Sequence, residues 1–195
     1  MTIEKKNGNL VFVPEKETRV GVVFYPGALV DYDAYAPLLS SLAEEGVLAV
    51  DVKMPMNFAF FGISKANKVL EAYPEIDHWY IAGHSLGGAM ASYYLDKNSA
   101  KYDGLILLAS YSTKDLSDDN LKILSLYGSE DQVLNKKNYE KYKTNLGAYL
   151  ETVIEGGCHA FFGSYGAQKG DGTPTISKEV QTEEAKEEIL RFIAF

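Results

Sequence analysis

Short apolar runs bounded by turn residues alternate along this chain with stretches whose apolar positions recur every three or four residues. That alternation predicts strand and helix units wound into an α/β fold, a mostly parallel central sheet with helices on both faces. Residues 19–25 (RVGVVFY) are a β-branched run that stops at Pro26-Gly27 and read as a central strand. Residues 35–45 carry Leu38, Leu39 and Leu42 at helical spacing and end at Gly46, a normal helix stop. Residues 46–53 (GVLAVDVK) predict the next strand, 62–73 a helix closed by Pro74, and 77–82 (DHWYIA) a strand that runs straight into Gly83. A helix of small residues follows at 86–95, then two buried strands at 103–109 (DGLILLA) and 121–127 (LKILSLY), separated by a short polar loop at 112–120. The chain closes with a helix at 135–146, a strand at 148–154 and an amphipathic helix at 178–195 whose Ile189, Leu190 and Ile193 face inward. The hydrophilic opening segment, including residues 10–13, predicts a hairpin at the sheet edge.

Composition narrows the partners. A length of 195 residues suits one domain spanning residues 1–195, which at this size buries roughly 70% of the surface its unfolded chain exposes. Twenty-seven acidic against nineteen basic residues give a net charge of −8, and only Arg19 and Arg191 are arginines. Such a surface repels polyphosphate, which argues against a nucleic-acid or anionic-membrane binder and for a small-molecule partner. No stretch approaches the ~20 apolar residues of a membrane span, and no apolar run follows the charged N-terminus, so as written the chain is expected in the cytoplasm. Cys158, the single cysteine, has no internal partner, which fits a reducing compartment or a chain indifferent to redox state. No HExxH, paired-cysteine or carboxylate cluster predicts a metal, and no glycine-rich phosphate loop predicts a nucleotide. No cofactor is expected.

One motif carries chemistry. Gly83-His84-Ser85-Leu86-Gly87 fits G-x-S-x-G and falls between an apolar strand and a small-residue helix, where a sharp turn lifts a serine oxygen clear of the backbone. Gly83, Gly87, Gly88 and Ala89 supply the small neighbours that such a turn demands, and the helix N-terminus beyond it favours a developing oxyanion.

With this motif in this context the chain resembles the α/β-hydrolase superfamily, in a small form with a minimal cap, from Arg19 to the C-terminal helix. The resemblance implies a triad in the order Ser, acid, His. Ser85 takes the nucleophile's place. His159, in the loop after the last predicted strand, takes the base's place, while His78 reads as a surface or packing residue and His84 as support or pocket wall. Residues 127–133 (YGSEDQV) resemble the acid loop, with Asp131 at the matching position, Glu130 its close rival, and Asp115, Asp118 and Asp119 as outlying candidates. The oxyanion donors implied are the backbone N–H groups of Leu86 and of Ala28, or alternatively Leu29, in a loop where Pro26 replaces the common histidine. Residues 54–61 (MPMNFAFF) either line an acyl or alcohol pocket or pack beneath a loop; with Leu29 and the post-histidine Phe161, their Met54, Met56 and Phe58 are the pocket candidates. Cys158 lacks a base of its own and reads as a structural thiol.

These expectations point to a serine hydrolase of small to medium carboxylic esters or thioesters. An acyltransferase of the same fold and a non-catalytic binding protein built on it are the alternatives.

Overall fold

The computed structural model describes residues 1–118 and 120–194; Asp119, an outlying candidate for the acid, and Phe195 lie outside the described residues. Eight strands form one sheet: β1 (Thr2–Lys6), β2 (Asn9–Val13), β3 (Val20–Tyr25), β4 (Leu48–Asp51), β5 (His78–His84), β6 (Gly104–Leu108), β7 (Lys122–Gly128) and β8 (Leu150–Ile154). Their spatial order is β1-β2-β4-β3-β5-β6-β7-β8. The β1/β2 and β2/β4 pairs are antiparallel and the rest parallel. The opening hairpin turns through Asn7 and Gly8, at φ 54° and 83°, the pair that a two-residue hairpin loop with two left-handed positions selects. β1 is exposed on both faces and forms the expected edge.

β3, β5 and β6 are buried almost throughout, so they are written as continuous apolar runs rather than alternating ones. Alternate side chains feed two core layers. Val23, Val50, Ile81, Leu105 and Leu107 pack against α2 (Lys65–Ala72) and α3 (Leu86–Leu95). Phe24, Ala82, Ile106, Leu108 and Leu124 pack against α1 (Ala36–Glu44) and α5 (Lys178–Ile193) on the other face. α4 (Lys136–Tyr142) packs on β7 through Tyr139, whose hydroxyl lies 2.8 Å from Ser125 Oγ.

Three expectations are corrected. The helix read over 35–45 begins at Ala36, after a separate 3-10 turn at Tyr32–Tyr35, and the one read over 135–146 splits into α4 and a 3-10 turn at Lys143–Leu146. The inward stripe of α5 is Gln181, Ala185, Ile189 and Phe192, with Leu190 and Ile193 only half-buried. A stripe advancing by four, four and three residues tracks one helix face, which the neighbouring positions flank.

The chain runs from β3 outward to β4 and then crosses back past β3 to β5. Connections therefore leave β3 and β5 toward opposite sides, opening a crevice at their carboxyl ends. Residues 26–29 and Ser85 emerge there.

Candidate active site

Ser85 sits between the last residue of β5 and the first of α3, at φ 53° and ψ −123°. Its backbone is tied down: its N–H donates to Leu108 O at 2.9 Å, and its carbonyl accepts from the Gly88 and Ala89 N–H groups and from Ser110 Oγ at 2.7 Å. The turn is closed so tightly that a Cβ on Gly83 would lie 2.5 Å from the Gly87 carbonyl carbon, and one on Gly87 would lie 2.1 Å from Tyr25 O. Glycine is required at both places by close approach of backbone. The strain at Ser85 belongs to a wider set: Leu29, Met56, Asn57 and Ala109 also have φ between 47° and 60°.

Asp131 and His159 arrive from the loops after β7 and β8. Those loops touch, since a Cβ on Gly128 would lie 2.2 Å from the Gly157 carbonyl, and the Glu130 N–H donates to Gly157 O at 2.9 Å. His159 Nδ1 lies 2.9 Å from Asp131 Oδ2, and both side chains are shut off from solvent. The other Asp131 oxygen accepts from the Val133 and Leu134 N–H groups at 2.9 and 2.8 Å. His159 Nε2 is buried and has no hydrogen-bond partner among the described residues. Glu130 instead accepts from Ser129 Oγ, Asp115 is exposed and bound to Ser117, and Asp118 is exposed. His78 is a surface residue paired with Asp103 at 2.9 Å. His84 is buried with its ring centroid 4.5 Å from that of His159. Burial, and then the neighbouring His159, hold the His84 imidazole well below its usual pKa.

The N–H groups of Ala28 and Leu86 have no intramolecular acceptor among the described residues, whereas the Leu29 N–H donates to Asn57 O at 2.9 Å. Of the two residues weighed for the second donor, Leu29 is thus already occupied.

Residues 21–183 match the alpha/beta hydrolase family. The chain belongs to that family. No curated protein matches its sequence. Among solved structures, Est1E from Butyrivibrio proteoclasticus superposes with a TM-score of 0.73 at 14% identity, over 100% of this chain and 99% of that one. An esterase 2 from Thermogutta terrifontis, phosphoramylated by tabun, gives 0.71 at 11% identity over 99% and 93% of the two chains. A predicted CIB-like hydrolase from Thermoplasma acidophilum gives 0.69 at 16% over 98% and 99%. These likenesses are of fold: this chain is an α/β hydrolase with an eight-stranded, mostly parallel sheet.

Several residues of this hydrolase that shape the site escaped the motif search. Asp171, across the post-histidine loop, accepts from the N–H groups of His159 (3.2 Å), Ala160 (2.8 Å) and Gly172 (2.9 Å). Partial burial pushes its carboxyl up, but the bonds from Ala160, Gly172 and His159 outweigh this and leave it below the usual carboxylate value. Gln181, fully buried on α5, accepts from the Cys158 N–H at 2.9 Å and donates to its carbonyl at 2.8 Å. Its signal was available as the one polar residue on the apolar stripe of α5. Cys158 itself is buried, and its thiol is pushed up to about 11 chiefly by that burial. It stays protonated at neutral pH, in keeping with a structural role.

The pocket candidates divide. Leu29 and Met56 are 72% and 78% exposed at the rim, together with Phe60 and Phe61, while Phe58 and Phe161 are half-buried. Met54 is 2% exposed in the core layer that holds Val50 and Val52, where its sulfur packs under Gly62. Period-two alternation simply continues past the end of β4, which carries Met54 inward rather than into the crevice.

Proposed function

We propose that this α/β hydrolase is a serine esterase of the carboxylesterase type, acting on small to medium carboxylic esters or thioesters. The observation that carries the reading is the solvent-shielded Asp131–His159 pair, whose Nε2 has no hydrogen-bond partner among the described residues, together with Ser85 on the strained turn that opens α3. In the reaction, Ser85 Oγ attacks the ester carbonyl carbon while His159 Nε2 accepts the hydroxyl proton. Asp131 fixes the Nδ1–H tautomer and stabilises the imidazolium. The N–H groups of Ala28 and Leu86 receive the carbonyl oxygen as it becomes an oxyanion, a contribution of about 2.7–4 kcal/mol per donor in related acyl transfers. Collapse breaks the ester C–O bond, and His159 returns the proton to the departing alcohol or thiol. Water, deprotonated by the same imidazole, then hydrolyses the acyl-Ser85 intermediate.

Substrate size follows from what flanks the site. The β6–β7 connection is short and tied to the body, with the Leu116 N–H on Asn145 O at 2.8 Å and Asn145 Nδ2 on Ser112 O at 2.9 Å, so it provides no cover for a long lipid. The exposed rim of Leu29, Met56, Phe60 and Phe61 suits an apolar acyl or alcohol group. Est1E has been solved with ferulic acid bound, which makes an aromatic ester a useful member of the substrate series.

The test is labelling with a fluorophosphonate probe. The folded native chain is expected to label and Ser85→Ala not to. Equal labelling of both, or of neither, overturns the assignment. A series of p-nitrophenyl esters of increasing acyl length then reads the rim, and equal kcat/KM along the series would remove it from the substrate site.

A further inference from the structure

Tyr35 is fully buried at the end of the 3-10 turn Tyr32–Tyr35, yet it touches three of the loops that build the crevice. Its hydroxyl lies 2.9 Å from the Gly27 N and 2.9 Å from His84 Nδ1. The approach is close enough that a Cβ on Gly27 would fall 2.9 Å from the Tyr35 hydroxyl and 3.1 Å from His84 Nδ1. On the base's side, a Cβ on Gly163 would meet the Tyr35 ring at 3.2 Å, and the Ser164 N–H donates to Ala34 O at 2.7 Å.

The phenol has one proton to place. Gly27 N–H is itself a donor, so Tyr35 accepts there, and the acceptor within reach of its own proton is His84 Nδ1. Burial raises the phenol well above its usual value and so keeps that proton on it. His84 is thereby a neutral imidazole protonated at Nε2, with its ring 4.5 Å from that of His159. A second cation at that distance would oppose formation of the His159 imidazolium.

We infer that Tyr35 is a positioning residue that aims the oxyanion loop through Gly27 and locks His84 in the neutral Nε2–H tautomer beside the base. The inference rests on the serine-esterase reading. Tyr35→Phe keeps the ring and removes both hydrogen bonds. It is expected to lower kcat about 10- to 100-fold, less than the 10²–10³ of deleting a donor outright, with KM nearly unchanged. It should weaken a boronic acid that forms a tetrahedral adduct on Ser85 by the same factor as kcat/KM, because only the oxyanion-like state uses the loop's aim. Long-range ¹H–¹⁵N spectra of the native chain, which do not depend on the variant folding, should show a pyridine-like Nδ1 and a pyrrole-like Nε2 on His84.

An active native chain whose Tyr35→Phe variant loses only melting temperature, with kcat and boronate affinity intact, overturns the inference alone. So does the opposite His84 tautomer. A native chain that neither hydrolyses esters nor binds the boronate overturns the esterase reading, and this inference with it.

Discussion

His159 Nδ1 and Asp131 Oδ2 are 2.9 Å apart and both side chains are cut off from water, while the second Asp131 oxygen is held by two backbone N–H groups. The carboxylate is therefore fixed before it meets the imidazole. In Asp131→Asn the backbone-held oxygen can be kept, but an NH₂ group now faces Nδ1 and forces the proton to Nε2, where the base needs a lone pair. We expect kcat to fall by on the order of 10⁴, as for the corresponding serine-protease change, with the fold retained. Glu130→Gln, whose side chain faces Ser129, should leave kcat within about twofold. Steady-state kinetics on one chromogenic ester decides between the two.

Asp171 ties the His159 loop from a distance. Removing it in Asp171→Ala strips an acceptor from four N–H groups, those of Gln132, His159, Ala160 and Gly172, and should cost at least about 1–3 kcal/mol at neutral pH, the penalty of leaving one such group unsatisfied. Because its folded-state value is depressed, its contribution is full above the unfolded value of about 3.9 and disappears as pH falls through the folded one. Urea melts should show the gap between native chain and variant closing below about pH 4.

Asp51 behaves in the opposite sense. Its carboxyl is fully buried, neither oxygen has a partner among the described residues, and burial first and Asp33 second raise it well above the usual range. The folded chain then holds a proton that the unfolded chain has released, so stability declines as pH rises from about 4 toward the folded value. Asp51→Asn should gain on the native chain as pH rises from about 4 toward neutrality in the same melts. A constant difference across that range would mean that Asp51 does not titrate on unfolding.

Gln181→Leu should cost about 2–6 kcal/mol, since it orphans a buried N–H and a buried carbonyl of Cys158 at about 1–3 each. Thermal denaturation is the measurement. The variant should also lower kcat, because Cys158 precedes His159 in the chain.

Gly87→Ala places a methyl 2.1 Å from Tyr25 O and should abolish soluble folded protein, whereas Gly8→Asn, at φ 83° with nothing within 4 Å, meets torsional strain alone and should cost only about 1 kcal/mol. Expression and circular dichroism of the pair separate packing from backbone torsion.

The order of elements and the candidates Ser85, His159 and Asp131 are legible because each is announced locally: by the G-x-S-x-G turn, by the position after the last strand, and by an acid following an apolar run. The supports are not, because what they hold lies far along the chain. Asp171 grips N–H groups 11 and 12 residues away, and Gln181 grips Cys158 at a separation of 23. Tyr35 read as the first turn of a helix. Only the three-dimensional meeting of the β3, β5 and β8 loops shows that it belongs to all three. Met54 was misplaced for a different reason. A thioether beside aromatics reads the same whether it lines a cleft or fills a core, and only the register of β4 decides.

Leu29, Met56, Asn57, Ser85 and Ala109, five of the six non-glycine residues with left-handed backbone among the described residues, lie along the edge where β3, β4, β5 and β6 end. Each such residue stores about 1–3 kcal/mol. The two rims of this molecule are therefore unequal raw material for anyone seeking a heat-resistant variant. Glycine at Leu29 or Ala109 would relax the torsion but loosen the loops that build the proposed site. Along the amino-terminal rim of the parallel strands, rigidifying substitutions carry no such penalty.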